Sequence, residues 1–149
     1  RLFESSFAHP GGKAELIPVA NHLPDEPTDD LYPLSLTTGR VLTHYLTGVQ
    51  TRRSHSLAAR DVESYVEIHP RTARRLGIKD GTLVRLASRR GVVVLRSRFT
   101  NGIREDTVFV PMHWGDTQNV NKVTNPALDP TCRMPGFKSC AVRISPLFA

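Results

Sequence analysis

The sequence lacks the motifs that mark the most familiar nucleotide-binding and hydrolytic enzymes. It contains no Gly-x-Gly-x-x-Gly run, and Gly12-Lys13 is followed by alanine instead of the serine or threonine of a P-loop. No Gly-x-Ser-x-Gly nucleophile elbow is present. These absences disfavour a Rossmann dinucleotide domain, a P-loop nucleotidase and an α/β-hydrolase.

Cysteine is scarce and histidine is scattered. Cys132 and Cys140 are too few for a disulfide framework, and their spacing matches no zinc or redox motif. We expect two structural thiols, or at most one incidental disulfide. None of the six histidines is paired at the one-turn spacing of helical metal sites. The sequence therefore predicts no metal site built from its own side chains.

Long apolar runs are also missing, and none approaches the ~20 residues that span a membrane. Positive charge, in contrast, is in excess, with a formal net charge of +6. Such a balance favours phosphates, nucleic acid, a membrane surface or a small anion as partners, although a solvated basic surface explains it equally well.

Residues 1–30 differ in composition from the rest. Glycine and proline punctuate this stretch, acidic residues crowd its end, and at most one short strand is expected, at Glu15-Leu16-Ile17. The chain begins with Arg1 and shows no signal-peptide pattern, which is typical of a fragment. We interpret residues 1–30 as an extended connector from a missing upstream region, and residues 31–149 as one domain.

Short strands dominate the pattern from residue 31 onward. Alternating or β-rich runs predict strands at residues 32–37, 65–68, 82–87, 92–99, 107–112 and 140–144. Pro70 and the closing Gly77 predict a short helix, and Ser88 to Gly91 predict a hairpin turn. The fold class is therefore mainly β, a small barrel with one or two short helices. Four consecutive apolar residues from Val92 predict burial on both faces of their strand.

One segment combines the chemistry of an anion cradle. The segment follows the first predicted strand and opens with Thr37-Thr38-Gly39. Arg40, His44, Thr47, Thr51 and Arg52-Arg53 come next. Glycine allows close backbone approach, hydroxyls donate, and arginine binds phosphate bidentately. A strand-to-turn segment with surface arginines is the equally weighted alternative.

The same segment opens an ordered set of motifs that resembles the last domain of the dimethyl-sulfoxide-reductase superfamily. Its nitrate reductases and formate dehydrogenases look most similar. The set covers residues 31–145 in order, and each piece is weak alone. It consists of Leu36 to Leu42, His44, Thr47-Gly48, Thr51 to Arg53, Ile68 to Pro70, Leu76 to Gly81, Ser88 to Gly91, Val110 to Trp114, Val120 to Thr124, Asp129-Pro130 and Phe137 to Val142.

The resemblance implies a double-psi β-barrel that closes over a molybdenum bis(molybdopterin guanine dinucleotide) cofactor, held mainly by preceding domains. It also implies the cofactor contacts, through residues that match the family's pattern. These are Thr38, Gly39, Arg40, Val41, Leu42, His44, Tyr45, Thr47, Asn121 and Lys138. Arginine, lysine and backbone amides suit a pyrophosphate, and asparagine suits a heterocycle edge.

The run Met112-His113-Trp114 occupies the place where the family's domain faces the substrate funnel. His-Trp-Gly is more familiar in assimilatory than in periplasmic nitrate reductases, which implies a cytoplasmic enzyme reducing nitrate to nitrite. His113 could attract or orient the oxyanion, with packing beside Trp114 as the alternative. Formate dehydrogenase is the close enzyme alternative.

Other parts of such an enzyme have no counterpart in this sequence. The cysteine motif for an iron–sulfur cluster is absent, and so is the domain that carries the metal ligand. Both are expected upstream, in the remaining domains of the parent enzyme. We therefore assign no catalytic residue, and neither cysteine is a molybdenum ligand. The domain should not be catalytic in isolation.

A hypothesis of a different class is a non-enzymatic barrel that binds nucleic acid or protein. Six arginines could form a basic patch for it: Arg71, Arg74, Arg75, Arg89, Arg90 and Arg98. Aromatic residues make up only 7% of the sequence and do not interleave with the basic runs as base-stacking platforms would. Nucleic acid is therefore the less favoured partner.

Overall fold

The computed structural model describes residues 2–148 and shows a closed barrel of six strands. The strands are β1 (Leu34–Gly39), β2 (Tyr65–Ile68), β3 (Leu83–Ala87), β4 (Val92–Phe99), β5 (Thr107–Pro111) and β6 (Cys140–Pro146). Two short helices, α1 (His55–Ala58) and α2 (Pro70–Arg75), precede and follow β2. Neither helix, nor any other in the described residues, is long and apolar enough to cross a membrane.

The strand pairing divides the barrel into two equivalent halves. Around the barrel the order is β1-β5-β2-β4-β3-β6; β1 pairs with β5 and β2 with β4 in parallel, and the other neighbours are antiparallel. Exchanging β1 with β4, β2 with β5 and β3 with β6 preserves every pairing and its sense. Two interlocked three-strand halves, each contributing to both parallel pairs, form the double-psi barrel. The predicted fold class is confirmed.

Local signals in the sequence explain the elements around α2. Pro70 occupies the first helical position, where no backbone N–H is needed, and the His69 ring accepts a hydrogen bond from the Arg71 amide at 3.2 Å. Gly77 ends the helix with φ +68°, a conformation that glycine adopts without strain. The β3–β4 hairpin closes where predicted, with the Ser88 amide bonded to the Gly91 carbonyl at 2.9 Å.

The core lies inside the barrel, and β4 shows its geometry. Val93 and Leu95 point inward and are buried, whereas Val92 and Val94 are 39% and 36% exposed. The predicted burial of both faces of this strand is therefore wrong. A closed barrel has one inner face, and β-branched side chains suit the outer face of a strand as well.

Both cysteines are free thiols. Cys132 is exposed, whereas Cys140 is buried at the start of β6. The Cys140 sulfur accepts a hydrogen bond from the Asn125 amide at 3.0 Å, and burial raises the pKa of the thiol. Cys140 therefore has a structural role as a neutral thiol.

The segment before the barrel forms neither helix nor strand between residues 2 and 30, so Glu15-Leu16-Ile17 is not a strand. Its acidic end nevertheless contacts the barrel. Glu26 pairs with Arg89 and Arg90 of the β3–β4 turn, and Asp29 pairs with Arg89.

Candidate functional site

The parallel pairing of β1 and β5 determines where the site lies. Their carboxyl ends lie side by side, with Thr38 opposite Val110 and Gly39 opposite Pro111. The Met112 amide continues the ladder by donating to the Gly39 carbonyl at 3.0 Å. Two loops therefore leave the barrel at one edge, the cradle loop (residues 40–53) and the loop that begins at Met112.

His113 joins these two loops. Its Nε2 accepts a hydrogen bond from the Val41 amide at 2.9 Å, and its Nδ1 contacts the Leu46 carbonyl. An amide can only donate and a carbonyl can only accept, so the ring is the neutral tautomer that carries its proton on Nδ1. The side chain is 1% exposed. Both ring nitrogens are thus engaged by the backbone of the cradle loop.

His44 holds the same loop from inside. Its Nε2 lies 3.0 Å from the Asp61 carbonyl and its Nδ1 lies 2.9 Å from the Thr51 hydroxyl. The ring is buried and meets Trp114 edge-on, with centroids 5.2 Å apart. His44 was predicted as a cofactor contact, and the structure turns its imidazole toward the protein.

Arg52 connects the two loops, and the sequence placed it in the anion cradle but not among the cofactor contacts. Its guanidinium donates to the Thr47 and His113 carbonyls, each at 2.6 Å, and lies 5.5 Å from the centre of the Trp114 ring. A Cβ on Gly48 would lie 2.3 Å from the same guanidinium, and Gly48 has φ +78°. Glycine at this position therefore makes room for the arginine that ties both loops.

The outward side of the cradle loop is open. Leu42, Tyr45 and Arg40 are all exposed. Within residues 2–148 the Arg40 side chain has neither a hydrogen-bond nor an ion-pair partner. A cation without a protein partner, on a loop fixed from inside, is free to bind an anion.

Lys138 and Thr38 meet beside this loop, although they lie 100 residues apart. The Lys138 ammonium donates to the Thr38 carbonyl at 2.5 Å, and the buried Thr38 hydroxyl donates to the Phe137 carbonyl at 3.4 Å. Because an ammonium has three donors, Lys138 has two N–H groups left for a ligand.

A cavity of about 570 Å³ opens next to the two loops. Among its lining residues are five predicted positions: Thr47, Met112, His113, Trp114 and Asn121. The lining also contains Arg52, which the sequence placed in the anion cradle, and five residues that sequence reasoning did not include: Gly115, Asp116, Thr117, Gln118 and Asn119. The signal for residues 115–119 was their position between Trp114 and Asn121, since both flanking segments were already assigned to the site.

Three groups of predicted contacts emerge from this geometry. Thr47 and Asn121 reach the cavity, Thr38 and Lys138 bind each other, and Arg40, Leu42 and Tyr45 face outward. Gly39 and Val41 contribute backbone groups. In the described part of the chain, no group of three or more His, Cys, Asp or Glu side chains could hold a metal ion.

Comparison with known proteins identifies the family of the chain. Residues 34–141 match the family described as "Molydopterin dinucleotide binding domain". The chain belongs to this family. The matched range includes β1, the cradle loop, the cavity and Lys138.

Known relatives of this molybdopterin domain are enzymes several times its length. The chain is 58% identical to the assimilatory nitrate reductase catalytic subunit of Bacillus subtilis, over 99% of the chain and 21% of the relative. It is 42% identical to F420-dependent formate dehydrogenase 1 subunit alpha of Methanococcus maripaludis, over 91% and 20%. A nitrate reductase of Symbiobacterium thermophilum is 39% identical, over 93% and 19%. The chain thus spans about a fifth of the length of these relatives.

A solved structure supports the fold independently. Acetylene hydratase from Pelobacter acetylenicus superimposes with a TM-score of 0.69 at 19% identity, over 77% of this chain and 18% of that one. At this identity the likeness shows the barrel fold alone.

Proposed function

We propose that this domain forms part of the binding site for a molybdenum bis(molybdopterin guanine dinucleotide) cofactor in a nitrate reductase that reduces nitrate to nitrite. The 58% identity to an assimilatory nitrate reductase subunit supports the choice of nitrate. The observation that carries the binding role is Arg40, an unpaired exposed cation on a loop that His113, His44 and Arg52 fix from inside.

The donor set suits a dinucleotide. Arg40 and Lys138 would hold phosphate oxygens, with Thr47 as a further donor. Asn121 beside the cavity offers both a donor and an acceptor to a purine edge. When bound, the cofactor supplies the redox chemistry, and the domain supplies binding and electrostatics.

The cradle loop would act through its rigidity. A loop that is already ordered loses little conformational entropy when a ligand binds, so more of the interaction energy appears as affinity. His44 and His113 order the backbone that carries Val41, Leu42 and Tyr45. A direct role for Met112, His113 and Trp114 toward the oxyanion stays a prediction. For His113, the engagement of both nitrogens favours a positioning role instead.

The rest of the enzyme would lie outside this chain. Since the relatives are about five times longer, we expect the metal ligand, any iron–sulfur cluster and the remaining cofactor contacts in the parent's other domains. A cytoplasmic location is proposed from the similarity to an assimilatory enzyme. Residues 1–30 would connect this domain to those preceding it.

Formate oxidation is the second candidate, because a formate dehydrogenase subunit is 42% identical over most of the chain. Assays of the full-length parent with nitrate and a reduced dye, and with formate and an oxidised dye, separate the two. Reduction of nitrate without oxidation of formate is the expected result. Oxidation of formate without reduction of nitrate would instead assign the domain to a formate dehydrogenase.

Nucleic acid is disfavoured by the ion pairs of the proposed basic patch. Arg71 pairs with Glu105, Arg98 lies 4.0 Å from Asp61, and Arg89 and Arg90 pair with acidic residues before the barrel. Carboxylates thus offset four of the six arginines, and phosphates would have to displace them.

Replacement of Arg40 tests the binding role. In the full-length parent, Arg40→Ala should weaken retention of the guanine dinucleotide about tenfold, because a charge-assisted hydrogen bond to phosphate is lost. Guanine nucleotide released on denaturation and molybdenum per chain are the measurements. Arg74→Ala, which removes an exposed arginine from α2, is the matched control. Unchanged nucleotide and molybdenum content in Arg40→Ala would refute the assignment.

A further inference from the structure

Glu26 lies before residue 34, where the family match begins, yet its carboxylate is an anchoring point for the barrel. It accepts hydrogen bonds from both terminal nitrogens of Arg90, at 2.8 and 2.7 Å, and from Arg89 at 2.9 Å. The backbone amide of Ala141 donates to it at 3.1 Å. The side chain is only 11% exposed, so four donors converge on one shielded carboxylate.

One branch of these contacts leads to Asn121. The guanidinium of Arg90 also donates to the Val123 carbonyl at 3.0 Å, directly after the 3-10 turn Val120–Lys122. The β3–β4 turn packs closely on this turn, since a Cβ on Gly91 would lie 2.8 Å from the Lys122 carbonyl oxygen. Glu26 thereby fixes the arginine that holds the Asn121 turn against the barrel.

A second branch leads to Lys138. Ala141, whose amide binds Glu26, stands at the start of β6, and the preceding Cys140 accepts the Asn125 amide. Lys138 precedes this point by three residues and binds the Thr38 carbonyl at the end of β1. The carboxylate is therefore linked to both chain segments that carry the proposed dinucleotide ligands outside the cradle loop, directly through the Ala141 amide and indirectly through Arg90 and Val123.

We infer that Glu26 is a positioning residue, which holds the Asn121 and Lys138 segments in place so that the chain upstream of the family domain completes the dinucleotide site. The inference rests on the proposed function for the role of these two residues. The hydrogen bond from Arg90 lowers the pKa of Glu26, which keeps the carboxylate charged at neutral pH. Loss of that charge would leave Arg90 without its main partner at a partly buried position.

Hydrogen exchange in the cofactor-free full-length parent tests the positioning role. Glu26→Ala should accelerate exchange roughly tenfold in residues 120–124 and in residues 138–142, because both segments lose a shared anchor. Glu26→Gln keeps an oxygen that can accept the Ala141 amide but loses the charge that binds Arg90. It should therefore accelerate mainly residues 120–124.

Asp29→Asn is the matched control. Asp29 also pairs with Arg89 but makes no hydrogen bond to Arg90 or to Ala141, so exchange in both segments should stay unchanged. Unchanged exchange in the two Glu26 variants would overturn the inference. Acceleration spread evenly over all six strands would overturn it as well, since that pattern reports only lower global stability.

Dinucleotide retention in the loaded parent separates this inference from the proposed function. Glu26→Ala should lower retention severalfold, and Asn121→Ala and Lys138→Ala should do so directly. If these last two variants retain the dinucleotide fully, the proposed roles of Asn121 and Lys138 fail, while local exchange still decides the positioning role. If they lose it and Glu26→Ala does not, Glu26 does not serve the site.

Discussion

At the scale of single residues, His113 shows what sequence could and could not provide. Its place in Met112-His113-Trp114 predicted a position at the site, and the side chain does line the cavity. Its partners could not be predicted, since Val41 and Leu46 lie 72 and 67 residues away. A histidine with one free nitrogen and a histidine with none look the same in a sequence. In the structure both ring nitrogens are engaged, and the buried His113 side chain connects two loops.

Substitutions of His113 distinguish a role in positioning the two loops from a direct contact with the substrate. The amide oxygen of glutamine can stand near the Nε2 position and accept from Val41, and the amide nitrogen of asparagine near Nδ1 can donate to Leu46. His113→Ala should cost the chain about 2 kcal/mol in free energy of unfolding, because the partly buried Val41 amide loses its acceptor. His113→Gln and His113→Asn should each recover part of this loss in urea denaturation.

Kinetics of the full-length parent supply the second measurement for His113. If His113 only positions the two loops, His113→Gln should lower the fraction of enzyme that carries cofactor. The KM for nitrate of that fraction should stay the same. A large rise in KM with unchanged stability and unchanged cofactor content would instead identify a direct contact with the oxyanion.

At the scale of elements, the sequence predicted the strands, helices and turns that neighbouring residues determine by themselves. The strand at residues 65–68 has the predicted bounds, and the Pro70 helix and the Ser88–Gly91 turn form where their residue types favour them. The Val92 to Leu95 run was misread for a physical reason. Whether an outer strand face is covered depends on what packs against it, and no property of the strand itself records that.

Paired substitutions in β4 check this correction. Val93→Ala removes two methyl groups from the core and should lower the free energy of unfolding by about 2 kcal/mol. Val94→Ala, on the neighbouring and half-exposed position, should cost under about 1 kcal/mol, chiefly through strand propensity. Urea denaturation of the chain measures both. Equal losses would mean that the outer face of β4 is buried after all.

At the scale of the whole molecule, the candidate site exists only because the barrel closes. The cradle loop follows β1 and the Met112 loop follows β5, and the parallel pairing of these strands makes the loops neighbours. Motif order predicted that both segments serve one cofactor, whereas their contact through His113 and Arg52 follows from topology. The role of Glu26 was hidden for the same reason, because composition marks residues 1–30 as a connector and says nothing of what they bind.

Acid should weaken the contacts of Glu26 with the barrel, because protonation removes the charge that binds Arg90. Its pKa lies below the ordinary glutamate value of 4.5, chiefly because of the hydrogen bond from Arg90. A carboxylate with a lowered pKa stabilises the folded state above its unfolded pKa, and this contribution is lost as the pH falls through the lower folded value. The difference in unfolding free energy between the wild-type chain and Glu26→Gln should therefore be constant from pH 7 to about pH 5 and shrink below pH 4.5.

Urea denaturation at a series of pH values measures this difference. Asp106 also has a lowered pKa, through its ion pair with Arg104, and this acid dependence is common to both proteins, so it cancels in the comparison. A difference that grows on acidification would mean that Glu26 is held protonated in the folded chain. Its proposed hold on Arg90 and on the Asn121 turn would then be wrong.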